Sequence, residues 1–128
     1  MIMKIGLDYW HVLSDYPDYF RALARAHLAQ DGEVHIISAI GKNRSGTVAQ
    51  EVAELDVPNS GVHEVVFRHP GESPELKLAK CLELGIQVFY DDREDVCRLL
   101  NKHGLLALHV FRKDSSAGDL TAERDSLS

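Results

Sequence analysis

Two short apolar runs in this chain each end on carboxylates. Lys4–Trp10 sets Ile5 and Leu7 around Gly6 and then delivers Asp8, while Gln87–Tyr90 delivers Asp91 and Asp92 in succession. A carboxylate at the C-terminal end of a parallel strand sits where open α/β sheets bind ligands. A lone Asp there can also be a loop residue capping a turn. The repetition is what gives Asp8 chemical interest. Two adjacent strands ending in carboxylates could build an all-oxygen site for a hard cation such as magnesium.

The elements that must position these residues follow from periodicity. After the first strand, Tyr9–Tyr16 is too aromatic and irregular for a simple turn. Pro17 suits a first helical turn and Asp18 adds favourable charge there. Phe20, Leu23, Ala24, His27 and Leu28 then recur at helical spacing until Asp31-Gly32. Glu33–Ser38 reads as a β-branched strand and Gly41–Gly46 as a loop. That loop, with two cations and Asn43, could contact phosphate, but it lacks the glycine and lysine pattern of a P-loop. Thr47–Leu55 is helical, Pro58–Gly61 a turn cluster, Val62–Phe67 a third strand and Arg68–Gly71 a loop. Ser73-Pro74-Glu75 opens a third helix that ends at Gly85. Ile86–Tyr90 is a strand, Glu94–His103 a helix and Leu105–Phe111 a fifth strand. Five strands alternating with four helices predict a parallel sheet covered on both faces, an α/β three-layer sandwich.

Composition narrows the classes. The 128 residues are 45% hydrophobic and 27% charged, which fits one globular domain, here taken as 1–112. Residues 113–128 are polar and Ser-rich, and a disordered tail is expected. A net charge of −6 argues against general nucleic-acid or anionic-membrane affinity. No apolar run is long enough to span a bilayer, and Asp8 and His11 interrupt any signal-like stretch. A cytoplasmic location is expected, with Cys81 and Cys97 as reduced core residues in helices. The seven histidines do not form a zinc pattern: His63, His69, His103 and His109 are scattered, and His27 and His35 read as structural.

Asp8 after the first strand, Ser38 ending the second, Lys77 in the third helix and Asp91-Asp92 after the fourth strand form an ordered set. In that order they resemble the haloacid dehalogenase-like (HAD) superfamily, mostly phosphatases. The matching pieces are Ile5-Gly6-Leu7-Asp8, Ile36-Ile37-Ser38-Ala39, Lys77 before Leu84-Gly85, and Phe89-Tyr90-Asp91-Asp92. The resemblance implies a Rossmann-like sheet in order 5-4-1-2-3. It implies that Asp8 takes the phosphoryl group as an aspartyl-phosphate. Ser38 would bond the phosphoryl oxygens and Lys77, with Lys80 one turn away as the fallback, would neutralise charge. Magnesium would be held by Asp8, the Trp10 backbone carbonyl, Asp91 and Asp92. Asp95 more naturally serves the first turn of its helix.

One position departs from the pattern. Family phosphatases carry a second Asp two residues after the nucleophile, to protonate the leaving group; here it is Trp10, followed by His11 where glycine is usual. Indole cannot do acid–base work, which is worth about 10²–10⁴-fold. His11 could stand in, or a good leaving group such as that of an acyl phosphate would need no acid. Dehalogenases of the superfamily carry Tyr at this position, but they need a cap domain, and no insertion here is large enough for one.

The expected function is therefore a small capless magnesium-dependent phosphohydrolase, weak or restricted to good leaving groups. It is open enough for a large phosphorylated substrate. The alternative is a degenerate member that binds magnesium or a phosphorylated ligand as a regulatory or scaffold module. A receiver-like phosphoacceptor has similar groups, but with the acidic pair early and the lysine last. The oligomeric state is left open by the sequence.

Overall fold

The computed structural model describes residues 3–113. Five strands, β1 (Lys4–Leu7), β2 (Glu33–Gly41), β3 (Gly61–Phe67), β4 (Val88–Asp91) and β5 (Leu106–His109), form one sheet. All four pairings are parallel, and the order is β3-β2-β1-β4-β5. This is the anticipated 5-4-1-2-3, read from the other edge. The helices α1 (Pro17–Ala29), α2 (Thr47–Leu55), α3 (Ser73–Leu84) and α4 (Glu94–Lys102) cover it. Among the described residues no helix is long and apolar enough to cross a membrane. The tail expectation for 113–128 falls outside the described residues except at Lys113, whose N–H donates to Asp15 Oδ2 at 2.8 Å.

The core divides into two clusters, one for each face of the sheet. Ile5 and Leu7 of β1 join Val34, Ile36 and Ile40 of β2 with Phe20, Ala24, Val48 and Val52 from α1 and α2. Ile37 and Phe89 pack with Cys81, Val96, Cys97 and Leu100 from α3 and α4. Alternation along a strand produces this split. Both cysteines are buried and free, as their apolar helical settings suggested.

Gly6 has a steric role in this arrangement. The Phe89 ring of the neighbouring strand lies across it, and a Cβ at Gly6 would overlap that ring. At the end of α3, Gly85 takes φ 74 and donates its N–H to the Leu82 carbonyl, a left-handed stop that a glycine accepts without strain.

Several boundaries shift from the sequence reading. β2 runs to Gly41 instead of stopping at Ser38, because β3 pairs with it from His35 through Gly41. β4 starts at Val88 and includes Asp91, and β5 is shorter than Leu105–Phe111. The irregular Tyr9–Tyr16 stretch contains a wide helical turn at Tyr9–Leu13 with a break inside it. Helix α3 turns Ser73, Lys77 and Cys81 inward, while Leu82 is 58% exposed. That polar stripe, at i, i+4 and i+8, is the face that meets the sheet.

Candidate phosphoryl and cation site

Backbone pairing brings the carboxylates together. Beyond the end of β1, the Asp8 N–H donates to the Tyr90 carbonyl at 3.0 Å. The β1–β4 ladder thus continues to the point where both strands deliver their acids. One carboxylate oxygen from each of Asp8, Asp91 and Asp92 lies within 4.8 Å of the other two. Asp8 and Asp91 are buried. Asp8 also caps the turn after it, its Oδ1 accepting the Tyr9 N–H at 2.8 Å.

Lys77 reaches this cluster from α3. Its Nζ lies 2.6 Å from Asp91 Oδ2 and 3.1 Å from Asp8 Oδ1, with the residue only 2% exposed. The Phe89 ring lies beside the ammonium, 5.8 Å from Nζ to its centroid. Lys80 pairs with Glu83 instead, so Lys77 is the lysine of the site. Asp91 is further held by the Arg93 N–H at 2.9 Å, and Asp92 by Arg112 Nε at 2.7 Å. Asp95 accepts the Val96 N–H within its own helical turn, as its position suggested.

The charges do not balance: three carboxylates face Lys77 and Arg112. Burial pushes the Asp8 carboxyl well above its ordinary value; Lys77 opposes this, while Asp91 and Asp92 add to it. Asp91 is raised by burial too, against the pull of Lys77 and the Arg93 N–H. Burial acts the same way on Asp92, but Arg112 and a hydrogen bond with Asp8 bring that carboxyl below its ordinary value. For Lys77 desolvation favours the neutral amine, and Asp8 and Asp91 more than offset it, raising the ammonium. An all-oxygen donor set of three clustered carboxylates has the chemistry to hold a hard divalent cation.

A cleft of about 180 Å³ opens over these groups. Asp8, Asp92 and Lys77 line it together with Trp10, His11, Ala39, Ser73, Arg93 and Arg112. Asp91 is not on its wall; it lies beneath, fully buried, as the anchor of Lys77. Trp10 (φ −67, ψ 128) and His11 (φ 65, ψ 2) form the break in the turn after Asp8. His11 thus occupies the left-handed conformation that glycine favours. Its Nδ1 lies 3.5 Å from Asp15 Oδ2, and its N–H donates to Ser14 Oγ at 2.9 Å.

Ser38 does not join the others. It lies within β2, not at its end, and is not on the cleft wall. Alternation puts it on the face of Ile36 and Ile40, whereas Ala39 lines the cleft. The hydroxyl that does line the cleft is Ser73, one helical turn before Lys77. Its Oγ is buried with no hydrogen-bond partner. In the sequence Ser73 reads only as a helix-start residue, and its i, i+4 spacing to Lys77 is the one signal that pairs them. Arg112, in the aperiodic segment after β5, carried no such signal.

The remaining histidines fit structural roles. His27 Nε2 lies 2.8 Å from the Met3 carbonyl oxygen. His35 lies between Glu33 and His63, at 2.9 and 3.0 Å.

No protein-family model matches the chain, and no curated protein matches it. Among solved structures it is similar to a chain of the Pnkp1/Rnl/Hen1 RNA repair complex (13% identity, TM-score 0.67), covering 88% of this chain and 44% of that one. A glycosyltransferase from Rickettsia africae ESF-5 is similar at 14% identity and TM-score 0.55, covering 90% of this chain and 32% of that one. The hypothetical protein PH0823 is similar at 13% identity and TM-score 0.51, covering 90% and 99%. The chain thus spans less than half the length of the first two. At these identities the likeness is one of fold.

Proposed function

We propose that this chain is a HAD-like, magnesium-dependent phosphohydrolase that works through an aspartyl-phosphate on Asp8 and is restricted to substrates with good leaving groups. The observation that carries this reading is the Asp8 carboxylate held against a buried Lys77, with Asp92 across the same cleft. A structural ion pair would not need a third carboxylate beside it.

The groups divide the work. Magnesium held by Asp8, the Trp10 carbonyl, Asp92 and Asp91 would supply the positive charge that lets an anionic carboxylate meet an anionic phosphate. Asp8 attacks phosphorus, and the leaving oxygen departs with the bonding electron pair. Water then cleaves the acyl phosphate, releasing phosphate and restoring Asp8. Lys77 keeps its proton throughout and neutralises charge on Asp8 and the phosphoryl oxygens. Ser73, in place of Ser38, donates its hydroxyl to a phosphoryl oxygen.

A second reading has its own observation. Trp10 lines the cleft where a proton donor would stand, which favours a module that binds magnesium or a phosphorylated ligand without turnover. One experiment separates the two. Incubation with magnesium and acetyl phosphate should add one phosphoryl group to Asp8 by mass spectrometry, and Asp8→Asn should take none. A magnesium-dependent rise in melting temperature without any label would support the binding module instead.

A further inference from the structure

Beside the carboxylate cleft, at the same edge of the sheet, lies a cavity of about 750 Å³. Lys42, Asn43 and Arg44 from the turn after β2 line it, with Val66, Phe67 and Arg68 from the end of β3. Two relations join the spaces. Phe67 is a wall of both. Arg44 holds its guanidinium 4.9 Å from the centroid of Trp10, which itself lines the cleft.

The charge of this cavity runs against that of the chain, which has 20 acidic and 14 basic side chains. Many other cations are paired, as Arg93 is with Asp95 and Arg112 with Asp92. Among the described residues, the side chains of Lys42, Arg44 and Arg68 make no salt bridge. The nearby acids are engaged with backbone. Glu64 accepts the Gly46 and Val48 N–H groups, and Glu72 accepts those of Arg68 and His69. Neither lines the cavity. Three unneutralised cations and an amide around one concave space suit a dianion, which guanidinium groups can grip in bidentate fashion.

We propose that this cavity holds a second phosphate of the ligand, so that the chain takes a small bisphosphorylated molecule with one phosphate at Asp8 and the other among Lys42, Arg44 and Arg68. The assignment of the first phosphate rests on the phosphohydrolase reading; the anion cavity does not. A small ligand is favoured over a polynucleotide because Lys42, Arg44 and Arg68 are gathered around one cavity in a chain of net charge −6. A strand of nucleic acid calls for a longer basic stripe.

The test uses the full chain with magnesium and a series of α,ω-alkanediol bisphosphates, each compared by calorimetry with the monophosphate of the same length. At the spacing that matches the two sites, the bisphosphate should bind at least about tenfold more tightly, with an advantage that shrinks as salt rises. The variant Lys42→Ser/Arg68→Ser spares the Arg44–Trp10 contact. It should lose that advantage while keeping its circular dichroism spectrum. Equal affinities at every spacing, or an advantage that survives in the variant, would overturn the proposal. So would tighter binding of a 5′-phosphorylated oligonucleotide than of every bisphosphate. Phosphoryl labelling of Asp8 is the separate readout of the phosphohydrolase reading, so failure there is told apart from failure here.

Discussion

Lys77 Nζ lies 2.6 Å from Asp91 Oδ2 in a place where both side chains are almost wholly removed from water. Such a pair is costly to assemble, because each charge gives up its hydration. It is also costly to break, since the survivor is left alone in a low-dielectric site. Lys77→Met should therefore destabilise the fold by about 3–5 kcal/mol in denaturant unfolding. Adding Asp91→Asn to it should recover part of that loss. A single-variant cost near zero would mean that the pair does not hold α3 to the sheet.

The pH dependence has a definite sign. Asp8 and Asp91 are raised from the ordinary 3.8, so the folded chain keeps protons that the unfolded chain has released. Stability from these groups is fully present below that value and is lost as pH rises through the folded pKa values. Asp92 is lowered and works in the opposite direction. In the presence of a chelator, the melting temperature should fall from weakly acid pH toward neutral, and Asp8→Asn should flatten the curve. Magnesium should flatten it as well in the native chain. A melting temperature that climbs steadily over that window would contradict the charge assignment.

The two buried serines should behave differently. Ser38 Oγ has no partner and lies off the cleft wall, so Ser38→Ala removes an unsatisfied hydroxyl. Stability should hold or rise by about 1 kcal/mol, with phosphate affinity unchanged. Ser73→Ala should leave stability similarly intact but weaken binding of inorganic phosphate in magnesium by about tenfold, the worth of one neutral hydrogen bond. A reversed pattern would return the phosphoryl contact to Ser38.

These contrasts also mark what the sequence makes legible. Asp8, Lys77, Asp91 and Asp92 can be placed because each sits on an element whose local pattern is clear: an apolar run that stops, or a helix with a good start. Ser38 misleads because a strand's length is set by its partner. Nothing within Glu33–Ser38 reveals that β3 will pair three residues further, and each added residue alternates the face presented. The inward stripe of α3 is hidden for a related reason. Leucines at Leu76, Leu78 and Leu82 suggest an apolar face, but buried carboxylates on the sheet draw the lysine inward. Arg112 lies beyond the last strand, and only the closed fold shows that it meets Asp92.

Gly6 links packing to chemistry. Its missing side chain lets Phe89 lie across β1, and the same ring neighbours the Lys77 ammonium. Gly6→Ala should cost about 1–3 kcal/mol through overpacking. It should also lower phosphoryl labelling of Asp8, since a displaced Phe89 moves the surroundings of Lys77. An unaltered melting temperature would mean that the ring can move aside freely.

The last prediction concerns the leaving group. With Trp10 beside Asp8, no carboxyl stands ready to protonate the departing oxygen, which must leave with its full negative charge. An alkoxide does this far less readily than a carboxylate or a nitrophenolate. Under the phosphohydrolase reading, acetyl phosphate and p-nitrophenyl phosphate should label or turn over, while glycerol phosphate should not. Rates across a series of aryl phosphates should fall steeply as the leaving-group pKa rises. The aspartyl-phosphate should also break down slowly and accumulate, because the group that would activate water is absent as well. Trp10→Asp places a carboxylic acid there and should raise alkyl phosphatase activity by about 10²–10⁴-fold, with a shallower dependence on the leaving group. His11 lines the same cleft, so His11→Gln is the companion variant: if imidazole already serves as the acid, this change should abolish alkyl phosphate turnover in the native chain. If neither the native chain nor Trp10→Asp acts on any phosphate while magnesium still raises the melting temperature, the site binds without turnover.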